Sequence, residues 1–163
     1  MPFDDRYDQL SEATWSAFAD SWLAEIADQG CTEFEFSKKV TLMKFLARPE
    51  HLWNFIVLSI EKTQTNFELG RIGVDLLERL LGNFGPDFID RVEAHASSDP
   101  AFAIALSVVA KHTITEDVWH RVQATQSKTY ANIDTTDHRA TVIDLEKHHL
   151  QNLKLALEER RTD

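Results

Sequence analysis

Apolar residues recur along this chain at spacings of three and four, with charged residues between them. That is the period of an α-helix with one buried face. The pattern is clearest over Ile72–Leu106, which reads as three short helices with turn and cap residues at both joints. Val74, Leu76, Leu77, Leu80 and Leu81 form one apolar face, and Gly82, Asn83 and Gly85 stop it. Pro86 opens the next helix, with Phe88, Ile89 and Val92 inward and Asp87, Asp90, Arg91 and Glu93 outward. Asp99 then has the character of an N-cap and Pro100 that of a first helical residue. Phe102, Ile104, Leu106, Val108 and Val109 continue the apolar set. Units of this kind bury their faces only against neighbours. The pattern therefore predicts an all-α fold of about seven to eight helices, as HEAT-like stacked helical hairpins or an irregular helical bundle.

The flanking segments read the same way. Leu10, Trp15, Phe18, Trp22, Leu23 and Ile26 make a stripe on one long N-terminal helix, with Ser11 as N-cap and Gly30 as stop. Thr32 and Glu35 have the spacing of a capping box, and Ser37 is a second candidate cap for a helix carrying Val40, Leu42, Met43, Phe45 and Leu46. Pro49 opens a helix bearing Leu52, Trp53, Phe55, Ile56, Leu58 and Ile60, apolar on more than one side and so expected to be central. Thr65 and Glu68 repeat the capping-box spacing, and Gly70 and Gly73 weaken the helix that follows. Thr115, Glu116 and Asp117 start another, buried through Val118, Trp119 and Val122. Residues 124–140 are polar and read as a loop anchored by Tyr130, and residues 141–163 as a C-terminal helix with Ile143, Leu150, Leu153 and Leu157 on its stripe. The organisation is a single helical domain over 1–163: an acidic helical region at 1–48, a core at 49–123, the loop and the last helix.

Composition narrows the class. A chain of 163 residues, 43% apolar and 27% charged, suits one soluble domain. The N-terminus is acidic and lacks the basic and apolar regions of a signal peptide, no apolar run is long enough to span a membrane, and Cys31 is the sole cysteine. These features point to a cytoplasmic protein. Charge is uneven. Asp4, Asp5, Asp8, Glu12, Asp20, Glu25, Asp28, Glu33 and Glu35 stand against Arg6 alone in residues 1–36, a net of −8 within a chain total of −10. The balance disfavours nucleic acid as a partner, because phosphates need Lys and Arg. It suits a basic protein partner, or it is a solvated face that keeps the chain soluble.

Residues 49–123 also carry an ordered set of motifs. They are Pro49, Glu50, Trp53, Phe55 and Ile56 at a helix entry; Ile72 and Gly73; Leu77, Glu78, Leu80 and Leu81; and Gly85 with the run Phe88 to Glu93. Asp99, Pro100 and Phe102 follow, then Ala105, Leu106 and Ser107, and finally Glu116 to Trp119 with Arg121, Val122 and Gln123. In these motifs the chain resembles an uncharacterised bacterial family of small helical domains. It departs from that pattern at Arg79, where the family often has an acid. The resemblance implies a HEAT-like arrangement and no reaction.

Catalytic signals are sparse. Asp117 with His120, and Glu146 with His149, have the spacing that puts a carboxylate and an imidazole on one helix face. A metal centre needs further inward carboxylates, which no apolar stripe supplies, so these four are weak candidate ligands and no cofactor is indicated. Asp144 and His148 lie one turn apart in a strongly polar stretch. Cys31 follows Gly30 without an identified base, and Gly70 and Gly73 are too close for a phosphate loop. Glu78, Asp90, Glu93 and His95 are placed to gather at a helix-pair edge, and His112 and His120 flank a helix start. The resulting expectation is a non-catalytic protein-interaction module. Its sharpest form is an acidic immunity or antitoxin-type protein whose nine N-terminal acids block a basic toxin such as a nuclease. The alternatives are a small metal- or carboxylate-dependent enzyme, or a generic scaffold. The last helix is a candidate homodimer contact.

Overall fold

The computed structural model describes residues 2–132, and among them every regular element is helical. A 3-10 turn at Asp5–Gln9 leads into α1 (Glu12–Ala27), α2 (Glu35–Leu46), α3 (Pro49–Lys62) and α4 (Asn66–Ile72). A π turn at Gly73–Leu77 joins α4 to α5 (Glu78–Ser98), and α6 (Pro100–Ser107) and α7 (Glu116–Asn132) follow. α3 is the hub, packing on α1, α4, α5 and α6. Leu52, Trp53, Phe55, Ile56 and Ile60 are buried on it, as its all-round apolar pattern requires. α1 packs on α3, α4 on α6 and α5 on α7.

Local chemistry sets most of the boundaries. Ser11 Oγ accepts from the Thr14 N–H at 3.1 Å, Thr65 Oγ1 from the Glu68 N–H at 3.2 Å, and Asp99 Oδ1 from the Ala101 N–H at 3.0 Å. Each satisfies a backbone donor that the first turn leaves open, for about 1 kcal/mol. Pro49 and Pro100 sit in first turns, where no N–H is required of them.

Three sequence expectations are corrected. The Thr32–Glu35 capping box does not form. The residue before α2 is Phe34, in the left-handed conformation at φ 50° with no side-chain cap of its own. The break expected at Gly82, Asn83 and Gly85 is present: α5 is two helical segments that meet at Phe84 (φ −135°, ψ 20°), and Pro86 lies at the start of the second. The segment from Ile72 to Leu106 is therefore a π turn followed by three helical runs, the two parts of α5 and then α6. Residues 124–132 belong to α7 instead of a loop. The remainder of that expected loop, and the expected helix at 141–163, lie outside the described residues.

Two glycines also allow close packing. A Cβ on Gly73 would lie 2.1 Å from the Ala105 carbonyl oxygen, and one on Gly82 would lie 2.3 Å from Thr113 Oγ1. Both glycines permit the close approach of a second segment.

The third correction concerns the stripes. Leu10, Leu42 and Phe45 were expected inward, yet they are 37%, 58% and 47% exposed. α2 packs chiefly on α1, burying Val40 and Met43 and leaving its opposite side in solvent.

Candidate interaction surface

α2 is held at three points. At its start, Glu25 reaches across from α1. Glu25 Oε1 accepts from the Phe36 N–H at 2.9 Å. Glu25 Oε2 accepts from the Ser37 N–H at 2.7 Å and from Ser37 Oγ at 2.5 Å. A carboxylate at a helix N-terminus satisfies open donors and faces the positive end of the dipole. Burial pushes the Glu25 carboxyl upward, but hydrogen bonds from Ser37 and Phe36 outweigh it and hold the group below its ordinary value. Near the other end, Lys44 Nζ donates to the Asp75 carbonyl at 3.4 Å, on the π turn. The Arg79 guanidinium lies 4.2 Å from the centre of the Phe45 ring, a cation–π contact. Arg71 pairs with Asp75 at 3.0 Å beside it.

These ties present one face of α2 to solvent. Phe34, Leu42 and Phe45 are 49%, 58% and 47% exposed, and they follow one another at helical spacing with Lys38 between. A shallow, open depression on this face is lined by Ser37, Lys38, Thr41 and Leu42. The helix carries Lys38, Lys39 and Lys44 against Glu35 alone, in a chain whose net charge is −10. Glu35 is itself paired with Lys39 at 3.0 Å. The surface is thus apolar with a cationic rim, and nothing in the sequence pattern marked it. Leu42 and Phe45 belong by spacing to the stripe expected to be buried.

The nine N-terminal acids do not converge. Asp4 binds Arg6 at 2.6 Å. Asp5 meets Arg48 at 2.8 Å, and Asp8 bridges Arg48 at 3.0 Å and His51 at 2.6 Å. Hydrogen bonds from Arg48 and then His51 hold the Asp8 carboxyl below its ordinary range. His51 also stacks on Trp15 at 5.6 Å, so the 3-10 turn is pinned to the start of α3. Asp20 pairs with Lys62 at 2.9 Å, Asp28 accepts from the Gly30 N–H at 3.0 Å, and Glu25 and Glu35 are engaged as above. Glu12 and Glu33 stand exposed, with no ion pair among the described residues.

The other candidates are dispersed. Glu78 Oε1 accepts from the Ala110 N–H at 2.8 Å and faces His112 at 3.6 Å. Asp90 and Glu93 share Arg121, and Arg91 grips both oxygens of Glu50 at 2.8 Å. His95 sits edge-on to Trp53 at 5.0 Å, inside an aromatic cluster with Phe102. No single site forms from them. Asp117 and His120 are exposed on α7, and no group of three metal-ligating side chains occurs among the described residues. Glu146 and His149, with Asp144 and His148, lie outside the described residues. Cys31 is half-buried in the turn after α1.

Comparison with curated proteins and with solved structures finds no match. A family model does match, over residues 24–130. That span is wider than the 49–123 region of resemblance. It takes in Glu25, all of α2 and most of α7, and leaves out the 3-10 turn and the first part of α1. The chain belongs to the family of unknown function DUF6869.

Proposed function

We propose that this protein is a non-catalytic protein-interaction module that binds through the outer face of α2. The observation that carries the reading is the exposure of Phe34, Leu42 and Phe45 on one helix side. Contiguous exposed apolar side chains with a polar rim are characteristic of interaction sites. The test is affinity capture from the native host with the full chain and with a Leu42→Asp/Phe45→Asp variant. A partner held by the first and lost from the second supports the reading. Identical captures by the two defeat it.

A sharper form is an immunity or antitoxin-type protein, acting in the cytoplasm against a basic toxin. Glu12 and Glu33 would serve it directly, and the acids engaged by exposed cations could be freed at small cost. Growth rescue on co-expression with a basic nuclease toxin tests it. The scaffold that presents these surfaces is proposed to be HEAT-like. The support is the packing of alternate helices, α1 on α3, α4 on α6 and α5 on α7, as in stacked hairpins.

A further inference from the structure

Resting on the interaction-module reading, we propose that the α2 face binds an acidic amphipathic helix of a partner protein. Phe34, Lys38, Leu42 and Phe45 run along about three turns of one helix side, the length over which a helical ligand places successive anchors. The surface beside Ser37, Lys38, Thr41 and Leu42 is shallow and open, so a ligand would lie along it and not insert into it.

Charge selects the sign of the ligand. Lys38 and Lys39 are exposed beside Leu42, and Lys44 and Arg79 stand at Phe45. Carboxylates flanking the apolar anchors of a ligand would meet this rim, whereas a basic helix would be rejected by it. A second copy docking α2 on α2 would set Lys38, Lys39 and Lys44 against their own equivalents. The chain's overall charge of −10 does not reverse the preference. At physiological salt, charges are screened beyond about 8 Å, so rim cations in contact outweigh acids on other faces.

The experiment is selection from a displayed library of helical peptides of mixed charge against the full chain. Counter-selection uses the Leu42→Asp/Phe45→Asp variant, checked for folding by circular dichroism. Peptides that depend on the α2 face should carry Leu, Ile or Phe at three- and four-residue spacing with Glu and Asp in excess. Binding of the best synthesised peptide should weaken at least about ten-fold in Lys38→Glu/Lys39→Glu, where two attractions become repulsions. Recovery of basic or neutral peptides, or indifference to Lys38→Glu/Lys39→Glu, overturns the acidic-helix assignment while leaving the interaction face standing. So does Lys38-dependent binding to phosphatidylserine vesicles, or Leu42-dependent self-association in sedimentation, with no acidic peptide selected. The absence of any α2-dependent peptide, vesicle binding or self-association removes the face itself.

Discussion

Glu25 and Ser37 are joined twice: one carboxylate oxygen of Glu25 accepts from both the backbone N–H and the hydroxyl of Ser37, at 2.7 and 2.5 Å. The pair ties the end of α1 to the start of α2, which is the helix that presents the candidate surface. Phe34, at the N-cap position, offers no capping side chain, so the first turn of α2 depends on a residue eleven positions upstream of Phe36.

Glu25→Ala is expected to destabilise the protein by about 1–3 kcal/mol, since it leaves partly buried N–H groups without an acceptor. Urea unfolding measures the loss. Faster amide exchange at Phe36 and Ser37 should accompany it. An unchanged denaturation midpoint would show that water replaces the carboxylate at no cost.

The same contact predicts a pH dependence. The folded Glu25 carboxyl lies below its ordinary value of 4.5. A depressed carboxylate adds stability that is fully present above the unfolded value and is lost as pH falls through the folded one. The stability gap between wild type and Glu25→Gln should therefore be constant near neutrality and shrink on acidification below about 4.5. A gap that widens on acidification contradicts the sign.

Gly73→Ala should cost more than Gly82→Ala. The new methyl at 73 meets a backbone carbonyl, Ala105 O, whereas at 82 it meets the side chain of Thr113, which can rotate away. Overpacking of the first kind costs about 1–3 kcal/mol. Thermal unfolding of the two variants side by side decides the order.

Leu42→Ala should leave stability within about 0.5 kcal/mol of wild type, because its side chain is largely in water. Leu80→Ala, at a fully buried position of similar composition, should lose about 2–5 kcal/mol. Equal losses at the two positions would mean that the α2 face is covered in solution.

Asp8→Asn removes the negative charge and one of the two oxygens through which Asp8 holds Arg48 and His51. Limited proteolysis should then cut faster within residues 5–9, while α3 keeps its amide protection. An unaltered cleavage pattern would assign the placement of the 3-10 turn to Tyr7, which stacks on Trp15.

Much of this architecture is legible without coordinates, and the limits of legibility have physical causes. Apolar spacing marks helices because burial of one face at a 3.6-residue period is a local property of the chain. Ser11, Thr65, Asp99, Pro49 and Pro100 mark starts because caps act within one turn. The all-helical class, the central α3 and the family resemblance therefore follow from the residues alone. The close packing at Gly73 and Gly82 is invisible in the sequence because the atoms they make room for lie on α6 and beyond it, at Ala105 and Thr113. The acids of residues 1–36 looked like one surface, yet their partners Arg48, His51 and Lys62 arrive from α3 and the residue before it. The cap of α2 comes from Glu25 on another helix, and Leu42 and Phe45 face solvent because no helix among the described residues covers that side. A hydrophobic pattern says that a residue suits burial; only the packing of the other helices decides whether a neighbour is there to bury it.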